Sequence, residues 1–159
     1  MERCNVVDEF GVRTGRVVIR GSSLAPGEYY PVVHIWIKDE LGRYLVQQRA
    51  LHLKYAPGVW AATVGYVWAG EESRAAAVRE VQEELGLELP PALLRSLARM
   101  TYENLFEEVW LVEVSQNMLG EITLDPDVAD TLWATKAELA ERIRRGAFYG
   151  YSYFDDLPE

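Results

Sequence analysis

The chain has 159 residues, of which 49% are hydrophobic and 26% charged, and this composition excludes a long disordered or fibrous segment. Its length suits one domain with a substantial core, so we predict a single domain over residues 1–159. Sixteen Lys and Arg against 25 Asp and Glu give a formal charge of −9, which excludes general attraction to nucleic-acid polymers or anionic membranes.

Residues 1–30 are predicted to be an N-terminal extension, because glycines and prolines interrupt them and leave one candidate edge strand, RVVIR (16–20). The only cysteine, Cys4, lies in this extension. One cysteine allows neither an intrachain disulfide nor a metal–thiolate cluster, and it fits a reducing cytoplasm, which we predict as the location. With no run of 18 apolar residues and mixed charges at the N-terminus, we expect neither a membrane span nor an export signal.

Two strand-like runs follow, Val32–Ile37 and Tyr44–Arg49, on either side of the turn signal Asp39–Gly42. This pattern predicts a β-hairpin. After a loop over 50–58, the run VWAATVGYV (59–67) is rich in aromatic and β-branched residues and predicts a further strand.

The pattern becomes helical from Ser73 to Leu85, and we expect Ser73 to be the N-cap and Gly86 to end the helix. The inward-facing stripe should consist of Val78, Val81 and Leu85.

The second half of the chain alternates strands and a helix without a regular βαβ period, which favours an α+β layered fold. A strongly aromatic C-terminal tail should pack on its own domain or on a neighbour. The predicted elements are strands at 93–102, 108–114 and 131–134, a helix at 135–146, and the tail at 147–159.

Three glutamates near the end of the first helix, Glu80, Glu83 and Glu84, should share one face, because positions three and four apart are neighbours. Their mutual repulsion costs on the order of 0.2–0.5 kcal/mol per pair. Carboxylate oxygens on a rigid backbone are the ligands that Mg²⁺ or Mn²⁺ prefers, so a bound ion would relieve this repulsion. The small Ala76 and Ala77 precede the glutamates and are expected to leave space for a bound group.

The glutamates belong to a longer pattern, GYVWAGEESRAAAVREVQEELGL, over residues 65–87. This segment resembles the 23-residue Nudix box, with every specified position filled. The resemblance implies a Nudix hydrolase, with an αβα sandwich around a mixed β-sheet, that uses water and a divalent metal to cleave a nucleoside diphosphate linked to another moiety.

Carried over to this chain, the resemblance makes Glu80, Glu83 and Glu84 metal ligands, with one of the last two polarising water. It implies that Arg79 and Glu71 brace the loop against the helix through an ion pair. Gly65 matches the glycine that lets the backbone turn, and Gly86 matches the final glycine of the box. The chain departs from the family at Tyr66, where a second glycine is common, and we expect this residue to alter the pocket wall.

Further candidates lie outside the box. Asp127 is a candidate catalytic acid or base, with Asp130, Glu103 and Glu107 as rivals. Arg49 and Lys54 are candidate phosphate contacts in an acidic protein, and Tyr66 is a candidate substrate contact. His34, in a strand among apolar residues, is expected to be structural.

Upstream segments, including VVHIWIKDELGRYLVQQR, resemble the branch of the family related to isopentenyl-diphosphate isomerase. Such an isomerase needs a protonating cysteine in its pocket, and the matching region contains none. Hydrolysis of a small nucleotide-like diphosphate is the leading hypothesis, with isomerisation and a non-catalytic nucleotide-binding module as alternatives. The aromatic tail and the β-rich N-terminus make a homodimer a further prediction.

Overall fold

The structure, a computed structural model, describes all residues from 1 to 159. The chain forms nine strands, two α-helices and three single-turn 3₁₀ helices. The strands are β1 (Arg3–Val7), β2 (Arg13–Ile19), β3 (Tyr30–Lys38), β4 (Arg43–Arg49), β5 (Trp60–Ala61), β6 (Thr63–Tyr66), β7 (Arg95–Tyr102), β8 (Leu105–Glu113) and β9 (Val128–Thr135), and the helices are α1 (Ser73–Leu85) and α2 (Lys136–Arg144).

Seven strands form one central mixed sheet. Its order is β5-β4-β3-β8-β7, while β6 also pairs with β3 and β9 also pairs with β4. The pairing of β3 with β8 is parallel along the full length of both strands, and the other pairings are antiparallel. The predicted α+β class and mixed sheet are therefore confirmed.

Hydrophobic cores lie on both faces of this sheet, so the layers are α, β and α. Alternate residues of β3 show the division, because successive side chains of a strand point to opposite faces. Val33 and Ile35 join the core with α1, whereas Trp36 joins the second core with Leu139 of α2 and the C-terminal tail. We call these faces the helix face and the tail face of the sheet.

The predicted hairpin is confirmed, but its strands separate soon after the turn. Only Ile37 with Leu45 and Lys38 with Tyr44 pair directly. Away from the turn, β3 pairs with β6 and β4 pairs with β5, while β9 pairs with β4 along its whole length. The run predicted as one strand at 59–67 is consequently two strands, since β5 and β6 pair with different partners on either side of Ala62.

The N-terminal extension contains more structure than the single predicted edge strand. Strands β1 and β2 pair as a separate antiparallel sheet, and Cys4 and Val6 pack beneath it with Tyr30. A two-stranded sheet is marginal by itself, so contacts with the rest of the chain stabilise it.

The predicted bounds of α1 are confirmed, but its N-cap is Glu72, which makes no side-chain capping hydrogen bond. Ser73 is the first helical residue, and its hydroxyl instead accepts a hydrogen bond from the indole of Trp110. Gly86 ends the helix in the left-handed conformation, with φ of 69°, where a Cβ is unfavourable.

The C-terminal tail packs on its own chain. Helix α2 begins with a capping box formed by Thr135 and Glu138, and Tyr151, Tyr153 and Phe154 of the tail then complete the core on the tail face. None of the helices has both the length and the apolar character that crossing a membrane requires.

Candidate functional site

The three glutamates of α1 lie in different environments rather than on one solvent-facing surface. Glu80 is 7% exposed, Glu84 is half-buried, and the Glu83 side chain is 56% exposed. Two carboxylates thus turn toward the helix face of the sheet, where contacts with the strands can hold them.

The expected space beside Ala76 and Ala77 is absent, and that prediction is wrong. Both alanines are fully buried in the core between α1 and the sheet, together with Val81 and Leu85, whereas Val78 is only partly buried. Their small side chains let the helix approach the sheet closely, which brings Glu80 onto the strand beneath.

Gly65 is the point of closest approach between α1 and the sheet. The residue lies within β6 and has no positive φ, so its role is not to turn the backbone, as the resemblance implied. A Cβ added at this position would overlap the carboxyl carbon and Cγ of Glu80. Only glycine therefore leaves room for this carboxylate.

Arg79 is the cationic centre of the site. Its Nε and Nη2 donate to the two carboxylate oxygens of Glu71, at 2.8 and 2.9 Å, and Nη2 also donates to the carbonyl of Tyr66. Its Nη1 donates to Glu80 at 2.7 Å and to Glu83 at 3.1 Å. One guanidinium thus joins the loop before the helix to two of the three glutamates.

Glu84 is held by a different set of residues. The amide of Gln47 on β4 donates to its carboxylate at 2.6 Å, and the hydroxyl of Thr63 on β6 donates to the carbonyl oxygen of the same amide at 2.9 Å. Gln47 and Thr63 are both buried. The Gln47 amide oxygen accepts from the Thr63 hydroxyl, so the amide nitrogen faces Glu84.

Burial shifts the proton affinities of these carboxylates. Desolvation raises the pKa of Glu80, and Arg79 opposes that shift. For Glu84, burial raises the pKa to about 7, with a further contribution from Glu80, while Gln47 and Arg49 oppose it. Glu71 shows the opposite net result: burial raises its pKa, but the hydrogen bonds from Arg79 and Trp68 outweigh it, so the pKa is lowered.

This donor set fits a hard divalent cation by its chemistry. Carboxylate oxygens are the preferred ligands of Mg²⁺ and Mn²⁺, and nearby positive charge would favour the ionised forms of Glu80 and Glu84 that burial disfavours. The side chains do not converge on one point, since no group of three or more His, Cys, Asp or Glu is arranged as a metal cluster. Glu80, Glu83 and Glu84 are the residues that would hold the ion.

The candidate phosphate contacts lie at the end of β4 and on the loop that follows it. Arg49 is half-buried, and its Nε donates to the carbonyl of Tyr55, while its charge acts on Glu84. Lys54 is exposed beside the Tyr55 ring. Tyr66 is not brought to the glutamates by its side chain, because its ring stacks on Trp68 and contacts the guanidinium of Arg20.

The candidate acid Asp127 is paired with a histidine that the sequence did not single out. Its carboxylate lies 2.8 Å from Nε2 of His52, and both side chains are exposed. The same loop reaches the glutamates through Asp125, whose backbone N–H donates to the carbonyl of Glu84. Asp130 is exposed on β9, and Glu103 is exposed in the β7–β8 turn.

Glu107, the remaining rival, lies on the other side of the sheet. It is on β8, two residues before Val109, whose side chain belongs to the tail-face core. Its carboxylate lies 3.7 Å from Nε2 of His34, which is on β3. The central sheet therefore separates Glu107 from the glutamates of α1.

The buried contacts of the site were not apparent from the sequence. Gln47 lies two residues after the inward-facing Leu45 on β4, so it also points inward. A polar residue at an inward position was the one feature of the sequence that indicated a buried polar contact. Thr63 gave no signal, because a threonine is ordinary in a strand.

Comparison with known proteins identifies relatives of this arrangement. A family profile described as the NUDIX domain matches residues 28–153. A Nudix hydrolase of Listeria monocytogenes is 35% identical over 99% of this chain and 94% of its own length. An isopentenyl-diphosphate Δ-isomerase of Streptomyces avermitilis is 36% identical over 90% of this chain and 76% of its own.

Among solved structures, the crystal structure of DR0079 from Deinococcus radiodurans superimposes with a TM-score of 0.77. It covers 97% of this chain and 96% of that protein, with 23% sequence identity. At this identity the likeness concerns the fold, and it includes the αβα arrangement described above.

Proposed function

The chain belongs to the Nudix hydrolase family, and from this premise we propose that it hydrolyses a phosphoanhydride bond in a nucleoside diphosphate linked to another moiety, with Mg²⁺ or Mn²⁺ as cofactor. One observation carries the proposal: the buried Glu80 and the half-buried Glu84 influence each other's charge in the site, and Arg79 directly contacts only the first of them. Two partly desolvated carboxylates with one direct cationic partner favour the binding of a further cation.

Each set of residues has a part in this reaction. Attack of water on phosphorus needs a positioned water and neutralisation of phosphate charge, and a divalent ion supplies both when it is bound. Glu80, Glu83 and Glu84 would hold that ion. Arg49 and Lys54 would contact phosphate oxygens.

The proton of the attacking water needs an acceptor. Glu83, Glu84 and Asp127 are the candidates. Glu84 is a candidate because the amide of Gln47 fixes the position of its carboxylate, as a general base requires. Asp127 is in contact with His52, so the two side chains could share the proton that the carboxylate accepts.

The test is a Mg²⁺-dependent hydrolysis screen with nucleoside triphosphates, nucleotide sugars, ADP-ribose, dinucleoside polyphosphates and coenzyme A. We expect phosphate or nucleoside monophosphate release from at least one substrate, and a loss of at least about 100-fold in kcat for Glu84→Gln. Glu88→Gln, an exposed glutamate just beyond the helix, is the matched control and should retain activity. No turnover of any substrate with metal present would exclude the proposal.

Metal binding can be measured separately from turnover. Mg²⁺ at 100 times Kd should increase the free energy of unfolding by about 2.7 kcal/mol through mass action. The melting temperature should rise accordingly. The double variant Glu83→Gln/Glu84→Gln should lose this response. A full response in the double variant would locate the metal elsewhere, and metal-independent nucleotide binding without product would favour the non-catalytic module.

Isomerisation is the second candidate function, and the relatives named as isopentenyl-diphosphate isomerases favour it. Against it, the only cysteine is fully buried beneath the N-terminal sheet, and burial raises the pKa of the Cys4 thiol to about 11. Conversion of isopentenyl to dimethylallyl diphosphate by the purified protein would establish this alternative.

The setting of the reaction follows from the sequence. We propose a small nucleotide-like diphosphate as the partner, in the cytoplasm, since a single reduced cysteine suits that compartment. A homodimer remains a prediction, for which light scattering is the direct measurement.

A further inference from the structure

The carboxyl group of Glu107 is buried and makes no hydrogen bond within the chain. The residue is 8% exposed, and its one polar neighbour is Nε2 of His34 at 3.7 Å, which is too long for a hydrogen bond. An unpartnered buried carboxyl is costly. The Nudix box does not include this residue, so its burial calls for another explanation.

The hydrogen bonds of His34 define which ring nitrogen carries the proton. The indole of Trp36 donates to the hydroxyl of Tyr153 at 3.0 Å, and that oxygen lies 2.7 Å from Nδ1 of His34. The hydroxyl proton has no other acceptor, so it is donated to Nδ1, and the neutral ring carries its hydrogen on Nε2. Burial also lowers the pKa of His34, to about 4, which keeps the ring neutral.

Both unpartnered groups reach solvent-accessible space. No fully enclosed side-chain nitrogen or oxygen in this protein lacks a hydrogen-bond partner. Since neither Nε2 of His34 nor the Glu107 carboxyl makes a hydrogen bond, both must be at least slightly accessible. A donor and an acceptor thus stand side by side on the tail face, and each is slightly accessible.

Aromatic rings lead from His34 to the protein surface. The Tyr151 ring lies 5.3 Å from the His34 ring, and the Tyr149 ring lies 4.9 Å from Tyr151. Tyr149 is 44% exposed. Burial raises the pKa of its hydroxyl, with added contributions from Tyr102 and Glu107. The faces of tyrosine rings stack on planar heterocycles.

We propose that His34 and Glu107 form a recognition site for a nucleobase edge, in which His34 donates to a ring acceptor and Glu107 accepts from the neighbouring N–H. Adjacent donor and acceptor atoms on one ring are typical of nucleobases. Tyr149 supplies a stacking surface for the same ring. A ligand of this kind would satisfy both polar groups at once.

The first experiment measures nucleoside binding to the full chain by saturation-transfer NMR and calorimetry, without divalent metal. The probes are adenosine, cytidine, guanosine and uridine, each paired with an analogue in which every hydrogen on the donor nitrogen is replaced by methyl, such as 3-methyluridine. We expect at least one nucleoside to bind and its methylated analogue to bind at least tenfold more weakly. Equal binding within each pair, or no binding by any nucleoside, would overturn the proposal.

The second experiment replaces Glu107 with an apolar residue of similar size. Glu107→Leu should weaken binding of the preferred nucleoside at least tenfold and raise the melting temperature, because an unpartnered carboxyl is removed from the interior. Glu108→Leu, the next residue on β8 and on the helix face, is the matched control and should retain nucleoside binding. Wild-type affinity in Glu107→Leu would contradict the assignment.

Two further measurements keep the test decisive. Should Glu107→Leu fail to fold, Glu107→Gln replaces it, because glutamine retains the shape and one acceptor oxygen. This variant should bind the preferred nucleoside more weakly than wild type does, but more tightly than wild type binds the methylated analogue. Because nucleoside binding needs neither metal nor turnover, a protein that binds nucleosides but hydrolyses no diphosphate refutes the proposed function alone.

Discussion

Buried polar side chains distinguish the functional regions of this protein at the scale of single residues. Glu80 rests on the backbone of Gly65, Glu84 depends on Gln47, and Glu107 has no partner in the chain. Groups of this kind lower stability unless hydrogen bonds or charges compensate them. Residues that are unfavourable for the fold are therefore the ones most directly related to function.

Gly65→Ala tests the close contact between β6 and α1. The added methyl group overlaps the Glu80 carboxyl, so we expect destabilisation of about 1–3 kcal/mol and loss of Mg²⁺-dependent activity. Urea unfolding and kcat measure the two effects. Gly120→Ala is the control, because a Cβ there meets nothing within 4 Å, and comparable losses in both variants would contradict the assignment.

Thr63→Val tests the contact that orients Gln47 toward Glu84. Without the hydroxyl, the buried amide oxygen loses its donor, and we expect a loss of stability of about 1–3 kcal/mol together with weaker Mg²⁺ binding in thermal-shift titrations. Thr63→Ser keeps the donor and should retain the wild-type affinity for Mg²⁺. If serine and valine weaken it equally, the hydroxyl has no part in positioning Glu84.

At the scale of elements, the functional unit is the segment from β6 through α1. The loop after β6 carries Glu71, and the carbonyl of Tyr66 accepts a hydrogen bond from the same guanidinium that reaches α1. Arg79 therefore couples strand, loop and helix. The left-handed Gly86 and the contact from Asp125 determine where the helix ends.

Arg79→Lys tests this coupling. A lysine ammonium cannot reproduce the planar fork that donates to Glu71, Tyr66 and Glu80 together, so we expect destabilisation of about 2–3 kcal/mol and loss of activity. Unfolding in urea measures the first effect. The corresponding change in α2, Arg145→Lys, affects an exposed ion pair with Glu141 and should cost less than about 0.5 kcal/mol.

For the whole molecule, the central sheet separates two regions with different chemistry. The helix face carries the carboxylates proposed to bind a cation, and the tail face carries a histidine, a glutamate and tyrosines. The C-terminal tail is needed on the second face, because Tyr153 holds His34 and Tyr151 packs against it. One layer of strands thus supports both regions.

The dependence of global stability on pH should contain a contribution from Glu107. Burial raises its pKa from 4.5 to about 7, so the folded state keeps a proton that the unfolded state loses between these values. Stability from this group therefore falls as pH rises through that window, by up to about 3 kcal/mol. His34, whose pKa is lowered to about 4, contributes in the opposite direction below pH 6.5.

Glu107→Gln isolates this contribution by difference. The unfolding free energy of the variant minus that of wild type should increase from pH 4.5 to pH 7 and be constant above pH 8. Denaturant titrations at five pH values measure it. A difference that does not change with pH would show that Glu107 titrates normally.

Features that depend on neighbouring residues were predictable from the sequence. The bounds of α1, its end at Gly86, the turn between β3 and β4, and the spacing of the box all depend on residues close together in the chain. Local propensities and periodicity carry this information. The α+β class and the family followed from the same short-range patterns.

The partners of the site residues depended on the tertiary structure. Thr63, Gln47 and Glu84 come from three elements, and His34 and Glu107 are joined by the parallel pairing of β3 with β8. Nothing local specifies which strands pair or which face α1 covers, because these depend on packing between distant segments. The sequence by itself determined that this protein has a carboxylate helix of the Nudix type, and the tertiary structure decided which carboxylates are buried, which residues hold them, and that Glu107 faces the other side of the sheet.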